Sequence, residues 1–91
     1  MLGLMQSQQL LISSLIEFAA RHHGDAEIVS RRVEGDLHRT NYRTAAGRAR
    51  RVANALDRLG LGFSDRVATL AWNGYRHFEL YYGISGSGRV V

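Results

Sequence analysis

The stretch DRVATLAWNGYRHFELYYGISGSGRVV, Asp65 to Val91, decides how this chain is read. RVATLA, Arg66 to Ala71, is a short and almost uniformly apolar run, which predicts a strand buried on both faces. Trp72, Asn73 and Gly74 punctuate it. A helix is then expected from near Tyr75, carrying Phe78, Leu80, Tyr81, Tyr82 and Ile84 until Gly86 and Gly88 break it. Arg89, Val90 and Val91 read as the first residues of another strand. Together these elements make an unfinished βαβ unit, whose parallel strands would be joined by a right-handed crossover. A buried parallel strand needs hydrogen-bond partners on its edges, and Arg66 to Ala71 has little to pair with inside 91 residues. The expected fold class is therefore α/β, as the incomplete front of a larger domain.

Upstream, residues 1–12 read as an extended lead-in, and 13–91 as a partial α/β subdomain. Ser13 or Ser14 is the expected cap of a first helix running to about His23, with Leu15, Phe18 and Ala19 facing the core and Gly24 as its stop. AEIVSRRV and LHRT, joined through Glu34 and Gly35, predict an antiparallel hairpin. Asn41 is a good N-cap for the clearest helix, in which Tyr42, Ala45, Ala46, Ala49, Val52, Ala53, Leu56 and Leu59 form one apolar stripe ended by Gly60. Arg43, Arg50, Arg51, Asn54, Asp57 and Arg58 lie on its outer side. The whole order is helix, hairpin, helix, strand, helix and the start of a strand.

Composition narrows the chemistry. A chain of 91 residues supports one small domain, burying about 60–65% of its unfolded surface, and leaves no room for a second domain with a lid. The absence of cysteine excludes disulfides, thiolate nucleophiles and cysteine-based zinc sites. All twelve basic residues are arginine, so no lysine can form a Schiff base or hold a phosphate. The first residues are fairly apolar, but they lack a basic region and are interrupted by Gln6, Gln8 and Gln9. A cytoplasmic chain without signal peptide or membrane span is the expectation. A net charge of +4 permits an anionic partner without establishing one.

Several residues invite a chemical reading. GISGSG, Gly83 to Gly88, could turn backbone N–H groups toward a phosphate, but these glycines follow a helix and precede a strand, the reverse of a dinucleotide fingerprint. A helix stop and turn is the better reading. His22, His23, His38 and His77 show no metal-ligand spacing, and no metal is expected. Ser85 and Ser87 lack a nucleophile pattern and read as turn serines. RARR, Arg48 to Arg51, is the best nucleic-acid candidate, yet it is short and shares its face with Asp57. A small basic module binding nucleic acid or acidic lipid through the Arg43 to Arg58 helix is the alternative reading, and nucleic acid is not the expected partner. Trp72, Tyr75, Phe78, Tyr81 and Tyr82 could line a ligand pocket, but an aromatic face packed as core explains the same pattern.

Three stretches, LLISSLIEFAARHHGDAEIVSRRVEGDLHR, RARRVANALDRLG and DRVATLAWNGYRHFELYYGISGSG, together resemble the N-terminal end of AMP-forming acyl-CoA synthetases. The likeness is closest to the medium- and long-chain fatty-acid ligase branch of this adenylate-forming superfamily, and it covers about Leu10 to Val90. It implies a parent enzyme in which a fatty-acid carboxylate attacks the α-phosphate of ATP, with magnesium, to give an acyl-adenylate and pyrophosphate. The thiol of coenzyme A then displaces AMP. None of the family's catalytic motifs falls within these residues, so the resemblance assigns no catalytic, cofactor-binding or metal residue here. It implies a chain that contributes scaffold, inactive alone, whose partner is the rest of the parent enzyme or a second copy at the exposed sheet edge. Ser87 and Arg89 depart from the small or apolar residues expected at that junction.

Overall fold

The computed structural model of the chain describes residues 3–91. Its elements are α1 (Ile12–His22), β1 (Glu27–Arg31), β2 (Leu37–Asn41), α2 (Tyr42–Arg58) and α3 (Tyr75–Ser85). This is the expected mixed α/β order, with one difference discussed below.

The longest helix, α2, is set by its sequence at both ends. Asn41 has extended backbone and its Oδ1 accepts from the Thr44 N–H at 2.9 Å, satisfying one of the helix's free amides. At the other end Gly60 takes φ +81°, and the N–H groups of Gly60 and Leu61 return to the carbonyls of Asp57 and Leu56. Between the ends, Ala45, Ala46, Ala49 and Leu56 are buried. Leu59, expected on the same stripe, is exposed, because it lies past the last turn that α3 covers.

The alanine stripe lets both other helices come close. Ile16 of α1 and Ile84 of α3 complete the buried apolar set, and Ile84 is wholly enclosed. Burying an isoleucine or leucine contributes about 1.5–3 kcal/mol relative to leaving it exposed, so these few large side chains carry much of the packing energy. Contact between α2 and α3 is tightest at Gly83, where a Cβ would lie 2.6 Å from Val52 Cβ and 2.9 Å from the Ala49 carbonyl oxygen. Gly83 is thus a packing residue inside α3, whereas the sequence placed it in a helix stop.

Helix α1 departs from expectation in its cap and its face. Leu11 is the N-cap, without a side-chain bond, while the Ser14 hydroxyl donates to the Leu11 carbonyl at 2.6 Å. The inward residue is Ile16; Leu15 and Phe18 are exposed. The helical period allowed two adjacent faces, and the one that meets the α2 alanines won.

Strands β1 and β2 pair antiparallel, with Ile28 opposite Thr40 and Ser30 opposite His38 on the half-buried face. Gly35, at φ +98°, supplies the left-handed residue of the connection. The run Arg66 to Ala71 forms no full strand. Only Arg66 is bridged, parallel to Val90, through Val67 N–H to the Val90 carbonyl and Val90 N–H to the Asp65 carbonyl. The βαβ connection is therefore present as a single parallel bridge. Leu70 is fully exposed, so the burial on both faces read from the sequence is not found among the described residues.

Two substitutions test this packing. Gly83→Ala should destabilise the fold by about 1–3 kcal/mol in urea unfolding followed by circular dichroism, through overpacking against Val52. Adding Val52→Ala should recover part of that loss. Asn41→Ala should cost about 1 kcal/mol by removing the α2 cap, while Asn41→Asp, which can accept the same bond, should cost less.

Candidate functional site

Each candidate from the sequence has a definite place in the fold. In the glycine-rich turn, the Gly86 N–H bonds the Tyr82 carbonyl, Ser87 and Arg89 both donate to Ile84, and Gly88 donates to Ser85. Every amide that could have cradled an anion there closes the end of α3 instead. The turn is a helix terminus, as the order of glycines indicated.

Ser87 and Arg89, the two departures at this junction, act together. Arg89 is buried, and its Nη1 donates to the Ser87 hydroxyl at 2.7 Å. Its Nη2 reaches Asp57 Oδ1 and the Leu61 carbonyl, both at 2.5 Å, and Nε also points to Leu61 at 3.2 Å. One guanidinium thus ties the end of α2 to the turn after α3, next to the parallel bridge. A cation among the last carbonyls of a helix is favourably placed against the helix dipole. Because Asp57 and Arg89 are 32 residues apart, no local pattern could have shown the pairing.

The basic run of α2 is divided by the fold. Arg48 turns toward α3, and its Nε donates to Glu79 Oε1 at 2.6 Å. This bond raises the Arg48 pKa, mainly through the hydrogen bond and then through the carboxylate's charge. Glu79 is buried, so Arg48 supplies the countercharge that its site requires. Arg43 is paired with Asp25 at 2.6 Å, leaving Arg50, Arg51 and Arg58 as the run's exposed residues without a carboxylate partner among the described residues. That is a sparse footprint for a nucleic-acid backbone.

The histidines do not converge. His22 lies against Phe18, with ring centroids 4.6 Å apart, and His38 stacks on Tyr75 at 3.6 Å. Nδ1 of both His38 and His77 is buried without a hydrogen-bond partner in the structure. No group of three His, Asp or Glu able to hold a metal occurs among the described residues.

The aromatic set splits in two. Phe78 packs between Tyr42 and Tyr82, at centroid distances of 6.4 and 5.0 Å, and belongs to the contact between α2 and α3. Burial, with the neighbouring Tyr81 and Tyr42 hydroxyls, raises the Tyr82 pKa. Trp72 is not core: it is 79% exposed and lines a cleft of about 200 Å³ with Arg31, Arg32, Val33, Tyr75 and Arg76. The hairpin connection forms one wall and the start of α3 the other. Glu34 and Arg76, 2.8 Å apart, join the walls, and Arg32 grips Asp36 through two bonds of 2.8 and 2.9 Å. The Arg76 bond lowers the Glu34 pKa, and the Arg32 bond lowers that of Asp36. Both pairs are therefore intact at neutral pH and are lost only as pH falls through those depressed values. The sequence reading named Trp72 and Tyr75 but not these arginines. Glu34 and Arg76 stand 42 positions apart, and only the packing of hairpin on helix brings them together.

The chain contains no constellation for nucleophilic, metal-assisted or phosphate-loop chemistry among its described residues, and its relatives explain what it is part of. Over 90 residues it is 56% identical to a 3-methylmercaptopropionyl-CoA ligase of Ruegeria lacuscaerulensis, covering 99% of the chain and 17% of that protein. It is 50% identical to a medium-chain-fatty-acid–CoA ligase of Ectopseudomonas oleovorans, with 99% and 16% covered. To a long-chain-fatty-acid–CoA ligase of Thermus thermophilus it is 42% identical, with 96% and 16% covered. The chain thus spans about a sixth of the length of the curated relatives it matches. The family model described as AMP-binding enzyme matches residues 16–91, from the inward isoleucine of α1 through all three helices to the parallel bridge, and the chain belongs to that family.

Proposed function

We propose that residues 13–91 serve as an N-terminal scaffold portion of a cytoplasmic, AMP-forming acyl-CoA synthetase acting on fatty acids. The observation that carries this reading is the identity of 42–56% to CoA ligases along nearly the whole chain, of which the chain makes up about a sixth. In the parent reaction the acid's carboxylate attacks the α-phosphate of ATP, magnesium assisting, and coenzyme A captures the acyl group from the adenylate. The residues described here do not offer a magnesium site, so no part of that metal's chemistry is assigned to them. Their contribution is a βα layer held by the α2 alanine stripe. A second reading of the substrate, a short thioether acid, is favoured by the higher identity to the 3-methylmercaptopropionyl-CoA ligase.

Two experiments test the scaffold role. The 91-residue chain incubated with ATP, magnesium and a fatty acid should release no pyrophosphate, and release above a no-protein control would overturn the reading. A chimera carrying this chain in place of the matching segment of the Ectopseudomonas oleovorans ligase should keep CoA ligation with the host's acid preference. A soluble, folded but inactive chimera would count against it.

The exposed run Arg66 to Ala71, including fully exposed Leu70 and largely exposed Trp72, also motivates a proposal of self-association by strand pairing. Light scattering should then give a mass that rises with concentration. A constant monomer mass at high concentration would rule it out.

A further inference from the structure

We infer that the cleft between the hairpin connection and the start of α3 takes the phosphorylated adenosine end of coenzyme A, an inference that rests on the CoA-ligase reading above. Three arginines and no carboxylate are among its lining residues. Two of these cations are already matched, Arg32 by Asp36 and Arg76 by Glu34. Arg31 is not: its Nη1 donates to the Gly35 carbonyl at 2.9 Å, and it has no carboxylate partner among the described residues. One guanidinium charge is thus left over at the edge of an otherwise apolar cleft, the complement of a phosphate.

The same cleft offers one free aromatic surface. Tyr75 is engaged, stacked on His38 and with the Arg76 guanidinium 4.9 Å from its ring centroid. The Trp72 indole is 79% exposed and meets no other aromatic ring among the described residues. A planar base could stack there while its phosphate pairs with Arg31. The location fits as well. The cleft sits at the carboxyl end of the Arg66 to Ala71 run, which is bridged parallel to Val90, and ligands of open α/β sheets bind outside the carboxyl ends of parallel strands.

Size and chemistry choose between the two nucleotides of the proposed reaction. The cleft, about 200 Å³, is smaller than the ~300–1,000 Å³ of pockets that enclose whole drug-sized ligands, so it suits one ring with its phosphate. ATP reacts at its own phosphates, and its nucleotide must lie where the catalytic groups are. Coenzyme A reacts at a thiol remote from its nucleotide, so that end can rest on a part of the protein with no catalytic group. The described residues contain no such group.

Trp72 is the chain's single tryptophan, so its fluorescence reports on the cleft alone. Titrating the 91-residue chain with adenosine 3′,5′-bisphosphate should give a saturable change in Trp72 emission, with matching heat in calorimetry. Binding should weaken as salt is raised. Arg31→Ala should weaken it by about tenfold, the loss expected for a charge-assisted contact. Arg50→Ala, on the outer face of α2, should leave it unchanged. Absence of both signals would overturn the assignment, as would equal binding by Arg31→Ala, by unphosphorylated adenosine or by ATP. The parent reading is judged separately, because the chimera can retain ligation with its host's acid preference whether or not this cleft binds.

Discussion

The close approach of α3 to α2 is the constraint on which the rest of the structure depends. It is possible because α2 presents Ala45, Ala46 and Ala49 inward and α3 meets them with Gly83, whose missing side chain leaves the space that Val52 occupies. Once the two helices are fixed, Ile84 is enclosed, Ile16 of α1 finds its seat, and the turn after α3 is delivered to the end of α2. A single methyl group at position 83 would strain each of these consequences, since well-packed interiors have little slack.

Charge pairs between distant residues then fix how the elements sit. Arg48 holds Glu79 across the two helices, Arg76 holds Glu34 between α3 and the hairpin, and Arg89 holds Asp57 beside the parallel bridge. Their roles differ. The exposed Arg76–Glu34 pair is screened by water and mainly orients, as surface pairs do. Arg48 answers a buried carboxylate, and Arg89 is itself buried, so removing either partner would leave a charge in a costly place. Ser87 and Arg89, unusual for the family at this junction, belong to one network that closes α3 onto α2.

What the chain leaves uncovered is consistent with a part of a larger ligase. Its largest exposed apolar residues near the bridge, Phe63, Leu70 and Trp72, stand where a parallel sheet would be continued. The chemistry proposed for the parent enzyme needs ATP, magnesium and an acid substrate, and none of the described clusters is built for their reacting groups. This segment is better suited to shape the protein around them, and through Arg31 and Trp72 to hold a non-reacting end of coenzyme A.

The sequence by itself determined the elements whose signals are local. The Asn41 cap, the alanine stripe, the Gly60 stop, the Glu34–Gly35 connection and the start of α3 at Tyr75 all follow from side chains a few positions apart, and the structure has each of them. The family was legible too, because its wording runs through the whole chain. Tertiary structure decided everything that needs a partner far along the chain. It chose Ile16 over Leu15 and Phe18 because only one face of α1 meets α2. It drew Arg48 out of a basic run, made Gly83 a contact point, and reduced Arg66 to Ala71 to one bridge, since Val90 supplies just one residue's worth of pairing. The candidate cleft belongs to the same class. Its arginines come from the hairpin and from α3, and their juxtaposition is a property of packing that no spacing in the sequence encodes.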